Sequence, residues 1–147
     1  MALRVFIASD HGGFLLKTQL LPMIVAPDMD VIDLGTCDDK SVDYPDFAML
    51  LCRRVLDTPG SLGILICGTG VGMSMAANRI PGIRAALCTD SYCARMARAH
   101  NNANVLCLGG RVIGPNLAGD IARTFLSSGF EGGRHEQRIA RFDACFK

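Results

Sequence analysis

The sequence lacks an excess of charge of either sign. Its 147 residues carry 15 lysines and arginines against 14 aspartates and glutamates. A partner such as nucleic acid or a membrane surface calls for a broad basic face, so this near-balance argues against both. The chain also has no apolar run near the roughly 18 residues that a membrane-spanning helix needs. We therefore expect any anion that it binds to be small and held locally.

The sequence also lacks the paired cysteines of a metal or redox motif. It has seven cysteines, an odd number, and no two are spaced as C-x-x-C. This excludes the common zinc-ribbon and dithiol patterns, and the three histidines are scattered, so we expect no metal and no cofactor. Residues 1–8 lack the layout of a signal peptide. Together these features predict a cytoplasmic protein in a reducing compartment.

Short apolar runs alternate with stretches of helical periodicity along the whole chain. Several runs are apolar throughout, as expected of parallel strands covered on both faces. The predicted strands are 3–8, 31–34, 62–67, 83–88 and 104–108, and the predicted helices are 13–25, 45–57, 72–79, 91–100, 115–127 and 134–146. Pro22 is expected to kink or end the first helix. We predict an α/β fold in one domain, 1–147: a three-layer αβα, Rossmann-like open sheet of five parallel strands with a C-terminal helical extension.

A glycine-rich loop follows the third predicted strand. In open parallel sheets, ligands bind beyond the carboxyl ends of the strands, where such loops converge. Gly68, Gly70 and Gly72 allow a tight turn whose N–H groups form an anion cradle at the start of a helix. The spacing is neither that of a P-loop nor that of a dinucleotide fingerprint. On its own, this glycine pattern fits a structural turn about as well.

Cys67 lies immediately before that loop. A thiol at the end of a strand that faces a helix N-terminus has its thiolate favoured by the aligned N–H groups, which makes it a candidate base or nucleophile. The alternative is a small buried hydrophobe that completes the strand, the commoner fate of a free cysteine. From position alone, the two interpretations are evenly matched.

Further candidate groups flank the predicted strands. Asp10 and His11 follow the first strand at the same edge, where Asp10 is also suited to cap the next helix. His100 precedes a polar run, 101–104, and either exchanges protons with a ligand or complements a helix dipole. Because the loop that holds His100 leads into a strand, it lies at the opposite edge and better suits a site at a subunit interface.

Arginines and a tyrosine complete the candidates. Arg134, Arg138 and Arg141 share one face of the last predicted helix, which either clamps a phosphate or is a solvated charged face. Arg111, at the end of the fifth strand, is a second candidate for phosphate contact. Tyr44 lies at a helix entrance, where it either orients a sugar or packs as a surface aromatic.

Ordered motifs cover nearly the whole chain. They are S-D-H-G-G-F-x-x-K at 9–17, D-Y-P at 43–45, G-I-L-I-C-G-T-G-V-G at 63–72, A-A-N at 76–78, G-I-R-A at 82–85, H-N at 100–101, G-x-R at 109–111 and E-G-G-R-H at 131–135. Together they resemble the ribose-5-phosphate isomerase B family, also known as the RpiB/LacAB sugar-phosphate isomerases. An ordered series of this kind is far more specific than any glycine pattern.

This resemblance implies the interconversion of an aldose phosphate and a ketose phosphate, typically ribose 5-phosphate and ribulose 5-phosphate, through a cis-enediolate. It implies that Cys67 shuttles the proton between C1 and C2, that Thr69 supports this base, and that His100 with Asp10 assists ring opening. The residues implied to hold the phosphate are His11, Arg111, Arg134 and Arg138. The implied substrate-binding set comprises those four together with Tyr44, Gly68, Gly70, Gly72, Ser74 and Asn101.

The resemblance also bears on assembly and on the identity of the base. It implies a homodimer or a dimer of dimers whose sites are shared between subunits, with a small sugar phosphate as the ligand. A second branch of the family carries a glutamate where this chain has Met73 and lacks the cysteine. The resemblance therefore selects Cys67 as the base.

The sequence leaves several alternative functions open. One is an isomerase of a six-carbon sugar, such as allose 6-phosphate or galactose 6-phosphate. Another is a non-catalytic phosphate- or nucleotide-binding module, which would not need Cys67. A third is a hydrolase with Cys67 as nucleophile and His100 as base. A metal-assisted hydride shift would need a histidine–carboxylate spacing that the sequence does not show.

Overall fold

A single parallel sheet forms the centre of the computed structural model, which describes residues 1–146. Lys147, the last residue of the predicted domain, lies outside the described residues. The sheet has five strands in the order β2-β1-β3-β5-β4. The strands are β1 Leu3–Ser9, β2 Met29–Asp33, β3 Leu62–Cys67, β4 Ala85–Leu87 and β5 Val105–Gly109.

Helices cover both faces of this sheet, and each face has its own apolar core. The helices are α1 Phe14–Ile24, α2 Tyr44–Asp57, α3 Val71–Ala77, α4 Ser91–Ala99, α5 Pro115–Ser127 and α6 Arg134–Asp143, followed by a short 3₁₀ turn, Ala144–Phe146. Side chains of α1, α4 and α5 pack on one face, and those of α2 and α3 pack on the other. The predicted three-layer αβα, Rossmann-like fold with a C-terminal helical extension is therefore confirmed.

The central strands end level with one another. Ser9 pairs with Ile66 across β1 and β3, and Cys67 pairs with Gly109 across β3 and β5. Every residue of β3 is buried, as its uninterrupted apolar sequence predicts. The loops that follow β1, β3 and β5 therefore meet at one edge of the sheet, which we call the carboxyl edge.

Several predicted elements differ from the structure in their bounds, among them the last helix, predicted to reach 146, which ends at Asp143. The fourth strand is shorter than predicted, Ala85–Leu87, because it is an edge strand that pairs only with β5. The first helix continues past Pro22 to Ile24. Pro22 lies in its last turn, where the loss of one N–H donor is offset by burial of Ile24, which is 2% exposed.

The strands begin at the opposite edge of the sheet, which we call the amino edge. The end of α4 and the helix α6 lie beside it. The N–H of Glu131 donates to the carbonyl of Ala99, which ties the segment before α6 to the end of α4. Arg84, just before β4, lies 3.7 Å from the carboxylate of Asp143 near the end of α6. The C-terminal helix thus stays beside the amino edge. Within the described residues, no helix has both the length and the apolar character to cross a membrane.

Candidate active site

Backbone segments pack directly against one another at the carboxyl edge. A Cβ on Gly13 would lie 2.3 Å from the carbonyl oxygen of Ile66, so only glycine fits there. A Cβ on Gly12 would lie 3.1 Å from the backbone nitrogen of Gly68. The loop after β1 therefore rests on the glycine loop after β3, at the point where the crossovers from neighbouring strands leave on opposite faces. Ligands of open α/β sheets bind at such a switch point.

Cys67 lies at the base of this crevice and is 5% exposed. The backbone N–H of Gly70 donates to its Sγ across 3.1 Å. Gly70 has a φ of 80° and is the residue that caps α3, so its left-handed backbone both makes the turn and starts the helix. An N–H aimed at the sulfur stabilises negative charge on it, as a proton-accepting thiolate requires.

Other buried cysteines lie in a different environment. Burial raises the pKa of Cys52 to about 12 and that of Cys88 to about 12. Burial also raises the pKa of Cys107 well above its ordinary value. These thiols remain protonated at neutral pH and serve as small core residues, whereas Cys67 has a backbone donor on its sulfur at the edge where the loops meet.

Asp10 and His11 face the same crevice from the loop after β1. The carboxylate of Asp10 is 6% exposed and accepts a hydrogen bond from the N–H of Gly13 at 3.1 Å. Nδ1 of His11 accepts from the N–H of Val42 at 3.2 Å. This contact requires the proton of a neutral His11 ring to lie on Nε2, which leaves that N–H free to donate to an anion.

Arg111 and Tyr44 border the glycine loop. The guanidinium of Arg111 lies 3.1 Å from the position that a Cβ on Gly68 would take. The hydroxyl of Tyr44 lies 3.1 Å from the corresponding position on Gly72. Both side chains therefore pack against glycines, whose missing Cβ atoms leave room for them. The guanidinium and the hydroxyl lie beside the backbone of the loop.

The hydroxyls of Thr69 in the loop and of Ser74 in α3 bond to Val71 at the start of α3 and not to the thiol. Oγ1 of Thr69 accepts from the N–H of Val71, and Oγ of Ser74 donates to the carbonyl of Val71. In the structure, the Gly70 N–H bonds to the Cys67 sulfur, and the Thr69 hydroxyl bonds to the N–H of Val71. Met73, at the position of the alternative glutamate, is fully buried in the core.

The remaining predicted site residues lie at the amino edge. His100 ends α4, and the strand β5 separates that edge from Cys67. At about 3.3 Å per residue, this strand spans roughly 16 Å. Within one chain, the structure therefore does not bring these residues to Cys67. The amino-edge group comprises His100, Asn101, Arg134 and Arg138.

His100 is part of a cluster that the sequence patterns did not single out. Its ring stacks on that of His135, with centroids 4.2 Å apart and planes at 14°. The Nε2 atoms of both rings lie 3.7 Å from the same carboxylate oxygen of Glu131. Glu131 precedes α6, and Gly132 and Gly133, with φ of 69° and 60°, turn the backbone between it and His135, so helical spacing gave no signal for this contact.

This cluster is the group of residues in 1–146 that most resembles a metal-ligand set, with ligand atoms within 4.8 Å of one another. The nearly parallel rings make the in-plane lone pairs of the two Nε2 atoms run side by side and not converge. An ion held about 2.0–2.1 Å from both nitrogens would lie far out of the ring planes. The arrangement therefore suits charge contact with Glu131 better than a shared ion.

Comparisons with known proteins agree with the predicted resemblance. Ribose-5-phosphate isomerase B of Escherichia coli is 43% identical over 141 residues, which cover 96% of this chain and 95% of that protein. The structure of ribose-5-phosphate isomerase B from Clostridium thermocellum is 48% identical with a TM-score of 0.94, covering 98% of this chain and 97% of that one.

A structure of the Mycoplasma genitalium ribose-5-phosphate isomerase B with bound ribulose 5-phosphate is also similar. It is 43% identical with a TM-score of 0.92, and the match covers 99% of this chain and 97% of that chain. The profile of the ribose/galactose isomerase family matches residues 5–142. The resemblance drawn from the motifs is thereby confirmed, and the chain belongs to the ribose/galactose isomerase family.

Proposed function

We propose that this enzyme interconverts ribose 5-phosphate and ribulose 5-phosphate, a reaction of the pentose phosphate pathway, by proton transfer at Cys67. The observation that carries the proposal is the Gly70 N–H on the Cys67 sulfur at the carboxyl edge of the sheet. The Escherichia coli relative has this activity by name, and ribulose 5-phosphate is bound in the Mycoplasma genitalium structure. A binding module or a hydrolase has no comparable support.

The proposed chemistry is a transfer of one proton between neighbouring carbons. The Cys67 thiolate removes the proton from C2 of the open-chain aldose, and the electron pair moves onto O1, which gives the cis-enediolate. The proton of the O2 hydroxyl then passes to O1, and the Cys67 thiol returns its proton to C1, which gives the ketose. A positioned base contributes roughly 10²–10⁴-fold to the rate, and each fixed donor to the oxyanion about 3 kcal/mol. Free N–H groups of the glycine loop are those donors.

Ring opening precedes this transfer because ribose 5-phosphate is mainly cyclic. In the furanose, the C1–O4 bond breaks, O4 takes a proton from His100, and the O1 hydroxyl passes its proton to Asp10. No electron is exchanged, and the carbonyl at C1 is formed. This assignment gives both residues a proton-transfer role.

Binding of the phosphate group orients the sugar in the site. His11, in the loop after β1, keeps its Nε2–H for a ligand, and the guanidinium of Arg111 lies against the glycine loop; each donates well to phosphate oxygens. Arg134 and Arg138 are exposed on α6 and complete the phosphate site from a second subunit. Binding energy from the phosphate thereby positions C1 and C2 over Cys67.

We propose a homodimer, alone or paired as a dimer of dimers, because the two groups of site residues lie at opposite edges of one chain. Exposed apolar side chains border the glycine loop, which suits a subunit contact beside Cys67. They are Val71, Met75, Leu87 and Tyr92. A partner that packs on this surface would bring its own His100 to the crevice.

Residues 1–147 act as one isomerase domain that needs neither metal nor cofactor, because the thiolate route uses only side chains and N–H groups. All seven cysteines lie in the described residues, and each is a free thiol there. Free thiols in this number suit the reducing cytoplasm.

The purified protein should convert ribose 5-phosphate to ribulose 5-phosphate in the presence of excess EDTA. Ketose formation is followed by ultraviolet absorbance or by ¹³C NMR of C1-labelled substrate. Allose 6-phosphate and galactose 6-phosphate, measured in parallel, test the six-carbon alternative, which the family description leaves open.

A rate that disappears with EDTA and returns with added metal would contradict the thiolate route. A higher kcat/KM for either six-carbon sugar than for ribose 5-phosphate would assign the enzyme to that sugar instead.

A further inference from the structure

The cluster of His100, Glu131 and His135 at the amino edge contains one carboxylate, that of Glu131, which the proposed reaction does not use. One oxygen of Glu131 lies 3.7 Å from Nε2 of both His100 and His135, which is ion-pair range and longer than a hydrogen bond. The Glu131 N–H is bonded to the carbonyl of Ala99, next to His100 in the chain. This bond fixes the backbone of Glu131 beside the histidine that the reaction needs, and its 60% exposed carboxylate reaches both rings from there.

The two stacked rings cannot both hold a proton without repulsion. His135 is the buried member, with a side chain 8% exposed, whereas that of His100 is 38% exposed. Burial lowers the pKa of His135, and the charges of His100, Arg134 and Arg138 act in the same direction, with Glu131 opposing. A proton is therefore disfavoured on the buried His135 ring, and His100 is the ring in contact with water.

We propose that Glu131 is a positioning residue for His100. Its carboxylate holds the His100 ring on His135 with the proton on Nε2, ready for donation to the ring oxygen O4 of a cyclic sugar phosphate. His135 is the neutral support beneath that ring. The inference rests on the proposed function, since it assigns Glu131 a part in ring opening and none in the proton transfer at Cys67.

The other charged groups near this pair do not replace Glu131. Arg134 and Arg138 are cations, which disfavour a proton on either ring. Glu136 lies in the first turn of α6, and its carboxylate faces Gly132. Glu131 is thus the carboxylate that contacts both rings in the described part of the chain, and Glu136 offers a matched control for the loss of one negative charge.

The test separates ring opening from isomerisation with two substrates. Ribose 5-phosphate is mainly cyclic, whereas 4-deoxyribose 5-phosphate lacks the O4 hydroxyl and cannot close the furanose ring. Glu131→Gln should lower kcat/KM roughly five- to tenfold on ribose 5-phosphate. It should leave the rate on the 4-deoxy sugar within about twofold of wild type, and Glu136→Gln should match wild type on both.

NMR provides a readout that does not depend on turnover. In Glu131→Gln, the ring-proton titrations of His100 and His135 should move to lower pH, because loss of the nearby negative charge disfavours imidazolium. Unchanged titrations, an unchanged rate on ribose 5-phosphate, or an equal loss on both sugars would overturn the proposal. If the wild type converts neither sugar, the proposed function fails, and the titrations still decide whether Glu131 holds the proton.

Discussion

Cys67→Ala should lower kcat on ribose 5-phosphate by about 10³-fold or more, since it removes the proton-transferring group. The affinity for substrate should stay nearly unchanged because His11, Arg111 and the loop N–H groups that bind it remain. Initial rates give kcat, and calorimetric titration with ribose 5-phosphate gives the binding constant. The side chain is small and lies at the rim of the core, so we expect the variant to fold.

Two controls define what Cys67 does. Cys67→Ser keeps the shape of the side chain but replaces the thiol with a far weaker acid, so its kcat should fall almost as far as that of the alanine variant. Cys145→Ser, which changes an exposed thiol near the C-terminus, should keep wild-type turnover. Full activity in Cys67→Ala would remove this residue as the base.

His100→Asn should lower kcat/KM on ribose 5-phosphate by about 10²-fold, because the variant loses the acid that opens the ring. On 4-deoxyribose 5-phosphate, which is already open, the variant should keep most of its rate. The asparagine keeps a polar side chain at the end of α4, where the His100 side chain is partly exposed, so we expect the variant to fold. The measurement is the kcat/KM of the variant relative to wild type, taken in parallel on ribose 5-phosphate and on 4-deoxyribose 5-phosphate.

A substrate-independent loss in His100→Asn would contradict a role in ring opening and would place His100 in phosphate binding or in folding. An Arg134→Gln variant provides the comparison for a phosphate ligand, since it should weaken both sugars to a similar extent through KM.

The sheet and its carboxyl edge were predictable because the local pattern of apolar runs, each followed by glycine or a polar residue, agrees with the fold. The uninterrupted apolar run of β3 predicts a central parallel strand, and Cys67, followed by the glycines, lies at the end of that strand. The position of a strand end decides which loops meet, so Asp10 and Cys67 could be assigned to one crevice. The fourth strand was predicted too long because apolar sequence does not report whether a strand has one neighbour or two.

Contacts between side chains distant in the chain were not predictable in the same way. That Gly70, not Thr69, reaches the Cys67 sulfur depends on the backbone angles of the turn. The stacking of His100 on His135 joins the end of α4 to α6 across the intervening β5 and α5, and no local pattern encodes it. The resemblance to a family supplied roles for these residues, while the structure supplied the Glu131 contact.

The most direct test of a site shared between Cys67 and the partner subunit's His100 is a hybrid of two inactive chains. Cys67→Ala and His100→Asn chains, co-expressed with different affinity tags, are purified as the mixed dimer and assayed on ribose 5-phosphate. One of its two sites then holds both wild-type residues, so the account predicts about half of the wild-type turnover per dimer. A hybrid no more active than its parent variants would contradict the account.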